Sequence, residues 1–161
     1  MKLRVIQKLL ILLLFIVITS LCCYGEEKAL YLLQIEAVER KGALLHLPVR
    51  AGDRFYLYYI HSSDKTPVLD TFLIDLNGEC LLVEEAYLWY GAGLEFQNHQ
   101  GARVVQEDGW VRVRLRRPMP SLFIRVGRIS HQVFIFGDQY IPLAHLATPG
   151  EVILLSIKKR I

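Results

Sequence analysis

From residue 26 onward, apolar side chains recur at every second position in short runs that end at glycine, proline, asparagine or aspartate. That period belongs to a pleated strand, because alternate side chains of an extended chain leave on the same face. No apolar stripe at i, i+3, i+4, i+7 persists for three turns after Gly25. A helical bundle and a parallel sheet built from βαβ units are therefore excluded. Alternation predicts strands over residues 30–38, 43–47, 54–60, 68–75, 79–84, 102–106, 110–115, 121–126, 132–136, 139–143 and 152–157. Asn77-Gly78, Asp108-Gly109 and Gly137-Asp138 separate neighbouring runs and favour tight hairpins. Pro67, Pro118 and Pro120 suit strand starts or loops, where no ladder hydrogen bond is lost. The expected fold is all-β: an antiparallel sandwich or barrel of about ten short strands, forming a single domain over residues 26–161.

Residues 1–25 do not share this pattern. Lys2, Arg4 and Lys8 precede an unbroken apolar run over residues 9–18, and no acid occurs before Glu26. This is the layout of a Sec signal peptide, with Cys23 and Gly25 as small residues ahead of a cut before Glu26. Acylation at Cys22 or Cys23, or retention as a hydrophobic anchor helix, are the alternatives, and either would hold the domain at the outer face of the membrane. The formal charge of +3 resides in this segment, since sixteen cations then face sixteen acids in residues 26–161. A neutral, exported domain is a poor nucleic-acid binder, so no such partner is expected. Cleavage leaves Cys80 as the only cysteine, which rules out an internal disulfide and reads as a small buried hydrophobe.

Few residues after the leader carry chemistry. Residues 54–61 place Phe55, Leu57, Tyr59 and His61 on one strand face. The next run places Val68, Asp70, Phe72 and Ile74 together, so an acid interrupts an apolar series. A hairpin closing around residues 61–67 brings His61 and Asp70 nearly opposite each other. Burial alone raises the pKa of such an aspartate, and a facing imidazolium lowers it. The plainer reading of the pair is a satisfied polar couple that closes the hairpin. Ser62 follows His61 and leaves on the opposite face, with no G-x-S-x-G elbow. Its hydroxyl therefore suits a loop carbonyl or a ligand oxygen better than nucleophilic attack. Arg112, Arg114 and Arg116 share a face with Trp110, and Gln106, Glu107 and Asp108 stand across the expected hairpin to balance them. Gly91 and Gly93 lie in a glycine-rich turn that lacks the third glycine and the helix of a dinucleotide fingerprint. They suggest close approach of backbone to a neighbour or ligand. His46, His61, His99, His131 and His145 show no metal-ligand spacing, so neither a metal nor a cofactor is expected.

Tyr59-Ile60-His61-Ser62, residues 67–72 (Pro-Val-Leu-Asp-Thr-Phe), Tyr90-Gly91-Ala92-Gly93-Leu94, Ile124-Arg125-Val126-Gly127 and Tyr140-Ile141-Pro142-Leu143 follow one another in an order that resembles the family called domain of unknown function 1850. The likeness runs from about Leu45 to Ile157. It implies a small exported protein, often encoded beside TRAP-type transporters of the TAXI class, with a role accessory to solute uptake and no established activity. His61, Ser62, Gly91, Gly93 and Arg125 match recurrent positions of that family. Asp70 stands where glutamate is more usual.

The first expectation is a non-enzymatic extracytoplasmic domain that binds a small carboxylate ligand, or a membrane or solute-binding subunit of a TRAP transporter. Its site would be lined by His61, Ser62, Asp70, Gly91, Gly93 and Arg125. The second is a small hydrolase or lyase with His61 and Asp70 as acid/base pair. The third is a purely structural adaptor in a transporter complex.

Overall fold

The computed structural model describes residues 31–88 and 101–159. The leader, Gly91 and Gly93 lie outside them. Among the described residues, eleven strands form: β1 (Tyr31–Ala37), β2 (Gly42–Val49), β3 (Arg54–Ile60), β4 (Pro67–Ile74), β5 (Cys80–Tyr87), β6 (Arg103–Glu107), β7 (Trp110–Pro118), β8 (Leu122–Arg125), β9 (Val133–Phe136), β10 (Gln139–Pro142) and β11 (Val152–Lys159). A single 3-10 turn, Leu143–His145, interrupts them.

Every pairing is antiparallel. The strands make a four-stranded sheet in the order β2-β1-β11-β8 and a seven-stranded sheet in the order β10-β9-β3-β4-β5-β7-β6. Among the described residues neither sheet closes on itself, and the two pack as a sandwich. One core cluster draws from both: Leu33, Ile35, Leu47, Val49, Ile124, Ile153 and Leu155 from the small sheet pack with Phe55, Phe72, Ile74, Leu82 and Phe134 from the large one. Phe55 and Phe72 stack with centroids 4.8 Å apart, and Phe134 tilts against Phe55 at 5.6 Å. Such pairs add about 1 kcal/mol each beyond burial. Cys80 is buried in this core as a free thiol whose pKa burial pushes up to about 12.

The turns behave as their residues dictate. Gly78 has φ +80° and Asp108-Gly109 has φ of +53° and +80°, the left-handed values that a tight hairpin needs and that glycine adopts without strain. β5 and β7 run furthest past what alternation alone suggests, β5 to Tyr87 and β7 to Pro118. The cause is an irregularity at Val83, where the ladder to β4 steps from Leu82 to Glu84 and the ladder to β7 shifts at the same place. A bulge keeps the strand paired while changing which side chains face inward.

The sandwich has two distinct ends. Tyr31 pairs with both Val49 and Lys159, and its hydroxyl donates to the Leu76 carbonyl at 3.1 Å in the β4–β5 turn. The chain therefore enters β1 and leaves β11 at the end that carries the β2–β3 and β4–β5 turns. The β3–β4 turn, residues 61–66, and the departure of the chain from β5 after Tyr87 lie at the opposite end.

Candidate functional site

The β3–β4 register decides where the expected pair stands. Ile60 pairs with Pro67 and Leu57 with Asp70. The His61 N–H donates to the Thr66 carbonyl at 2.8 Å, so the residue opposite His61 is Thr66. Asp70 is four residues further on, about 13 Å of extended chain. The expectation that His61 and Asp70 face each other is thus corrected. It took the hairpin to close around residues 61–67 without fixing the register, whereas the ladder pairs Ile60 with Pro67 and so sets Asp70 opposite Leu57.

Within that turn the His61 ring contacts its own neighbours. Nδ1 lies 3.0 Å from the Ser63 hydroxyl and 3.4 Å from an Asp64 carboxylate oxygen, and Ser63 donates to the same carboxylate. Serine and aspartate both meet one ring nitrogen, whereas a hydrolytic relay needs them on opposite nitrogens. Ser62 is exposed, and its carbonyl accepts from the Lys65 ammonium. This turn is a hydrogen-bonded knot held by its own side chains, with no acid/base pair extending to Asp70.

Asp70 has different company. Its register partners Leu57 on β3 and Glu85 on β5 share its inward face. On β7, the inward series Val111, Val113 and Leu115 continues to Arg117, whose Nη2 donates to Glu85 Oε1 at 3.3 Å. From β3, the Tyr59 hydroxyl faces the Asp70 carboxylate and hydrogen-bonds to it. Four strands thus contribute one polar group each to the inner face of the large sheet. Apolar residues flank the cluster on both sides: Phe72 and Leu82 belong to the main core, and Val68, Tyr87, Val111 and Val113 form a second one, with Tyr59 and Leu115 packed against both.

The electrostatics follow from this placement. Burial, and then the negative charge of Glu85, push the Asp70 pKa up to about 7, against the opposing pull of the Arg117 guanidinium and the Tyr59 hydrogen bond. Burial first, then the charges of Asp70 and Glu85, hold the Tyr59 phenol above its ordinary range. Two atoms of the cluster are buried without a hydrogen-bond partner: Asp70 Oδ1 and Arg117 Nε. A buried polar atom left unmatched costs about 1–3 kcal/mol, so each calls for a partner.

The remaining expected residues lie elsewhere. Arg125 ends β8 in the small sheet, exposed, with Nη1 donating to the Gly150 carbonyl at 2.7 Å. Gln132 bridges it to the next loop, donating to the Arg125 carbonyl and accepting from the Gly127 N–H. Two arginines of the β7 ladder are neutralised from both neighbouring strands. Arg112 and Arg114 reach Glu84 at 2.6 and 3.1 Å, and Arg114 reaches Glu107 at 2.8 Å. Among the described members of the expected ligand-binding set, only Asp70 belongs to the inner cluster. Glu85 and Arg117 complete it, together with Tyr59, which alternation places on one face with His61 but without a role.

A family model described as Domain of unknown function (DUF1850) matches residues 55–143. The matched span contains all seven strands of the large sheet and β8, so every residue of the inner cluster falls inside it. No curated protein and no solved structure matches the chain.

Proposed function

The chain belongs to the DUF1850 family, and from that premise we propose that it is an extracytoplasmic binding module with no catalysis of its own. It holds a small carboxylate-bearing solute on Tyr59, Asp70, Glu85 and Arg117, in the service of a TRAP transporter of the TAXI class. The observation that carries this reading is the pair of unmatched buried atoms, one on each side of the charge balance, in a cluster already walled by apolar side chains. A ligand that meets both would remove their desolvation penalty, and this gain would supply part of its affinity. The leader supports export, with residues 1–25 cleaved, lipidated or kept as an anchor.

Thermal-shift measurements on the full chain in mild detergent test the reading. Organic acids and amino acids should raise the melting temperature of the wild type, and Asp70→Asn and Arg117→Gln should each abolish most of that rise. An unchanged melting temperature across both panels would remove the ligand reading. Recovery of transporter membrane subunits with the protein under the same conditions would then favour the adaptor role.

A further inference from the structure

The inner cluster holds two carboxylates, Asp70 and Glu85, against one guanidinium, Arg117, so when all three are ionised one negative charge is in excess. A simple organic anion entering it would add like charge beside both acids. In a half-buried setting that repulsion opposes binding more strongly than it would in water. A simple cation would satisfy Asp70 and leave Arg117 Nε without an acceptor. The two unmatched atoms therefore make opposite demands: Asp70 Oδ1 lacks a donor, and Arg117 Nε–H lacks an acceptor.

Resting on the reading of this cluster as a binding site, we propose that its ligand is a zwitterion of the amino-acid type, with the ammonium against Asp70 and the carboxylate on the Nε edge of Arg117. The guanidinium edge formed by Nε and Nη2 can hold a carboxylate through two parallel bonds, and Glu85 occupies only the Nη2 half of it. A zwitterion leaves the net charge of the cluster unchanged while matching both orphans. The buried apolar residues Val68, Tyr87, Val111 and Val113 flank the cluster on one side. The elevated pKa of Asp70 fits the same picture, because burial and the Glu85 charge outweigh the Arg117 guanidinium and leave this carboxyl partly protonated near neutrality. The groups facing it are Tyr59 from β3, Glu85 from β5 and Arg117 from β7.

Three matched sets of probes separate the demands. L-Alanine, L-leucine and L-phenylalanine carry both charges; propionate, isocaproate and hydrocinnamate lack the ammonium; ethylamine, isoamylamine and phenethylamine lack the carboxylate. Calorimetric titration of the full chain in mild detergent at pH 8 should show at least one amino acid binding tenfold or more tightly than both of its truncated counterparts. At pH 5.5, where Asp70 is protonated, that preference should shrink. Asp70→Asn should abolish it at pH 8, and Arg117→Gln should weaken the amino acid and its organic acid alike. If the organic acids bind as tightly as the amino acids at pH 8, the zwitterion proposal is overturned and the cluster remains an anion site. If none of the three sets binds, the reading of the cluster as a ligand site fails with it. The pH arm uses the wild type only, so it decides even if a variant does not fold.

Discussion

Asp70 is opposed in its ionisation by burial and Glu85 and assisted by Arg117 and Tyr59, and the first two prevail. Its folded pKa of about 7 lies above the ordinary value of 3.8. Between about pH 4 and pH 7 the folded chain holds a proton that the unfolded chain has released. Stability from this group is therefore greatest below the unfolded value and declines as pH rises through the folded one. Asp70→Asn, which keeps the shape and removes the charge, should match the wild type near pH 4. It should be more stable by about 1–3 kcal/mol at pH 8, a range reduced from one-for-one conversion of the shift because solvent screens a half-buried group. Urea denaturation of both proteins across that range checks it; a variant less stable at pH 8 would show that Asp70 is well paired as an anion. The sequence marked Asp70 as an acid within an apolar series. It did not identify the residues around Asp70, because pairing depends on register, and nothing in residues 61–67 fixes which residue of β3 Asp70 will face.

At the scale of strands and turns, the bulge at Val83 does most to build the site. Regular alternation from Cys80 and Leu82 would turn Glu84 inward and Glu85 outward. The extra residue reverses them, so Glu85 faces Asp70 and Arg117 while Glu84 joins Arg112 and Arg114 on the outer face. A run of Leu-Val-Glu-Glu contains no glycine or proline to announce such an irregularity, which is why Glu85 was not legible. Arg117 was nearer to legible, since it keeps the parity of Val113 and Leu115 and was lost only because the strand was ended too early. The β4–β5 turn gives the corresponding test of turn chemistry. Gly78 has a positive φ, and a Cβ there would strike the ring of Tyr31; Gly137 has φ +59° with open space around it. Gly137→Ala should cost about 1–2 kcal/mol from backbone strain alone. Gly78→Ala should cost about 2–5 kcal/mol, because crowding of the ring is added. Equal losses in chemical denaturation would mean that the Tyr31 ring does not constrain the turn.

For the whole molecule, the two ends of the sandwich differ in what they carry. The chain enters β1 at Tyr31, at the end where Lys159 and the β4–β5 turn meet, and Leu76 in that turn is 87% exposed. The β3–β4 turn lies at the far end, about 20 Å away along β3. In a form that keeps residues 1–25 in a bilayer, the β4–β5 turn should lie nearest the lipid and residues 61–66 should point away. A fluorophore at Leu76→Cys, with Cys22 and Cys23 replaced by serine, should be quenched by a headgroup quencher several-fold more than one at Ser62→Cys; the reverse order would refute this orientation. The period of two and the positive-φ turns depend on neighbouring residues alone, so the all-β class, the hairpins and the family likeness were legible in the chain. The sandwich, the placing of β11 between β1 and β8, and the meeting of Tyr59, Asp70, Glu85 and Arg117 were decided only by tertiary structure. Strands distant in the chain choose partners and register through the burial of their shared faces, and one bulged residue is enough to change which charges meet inside.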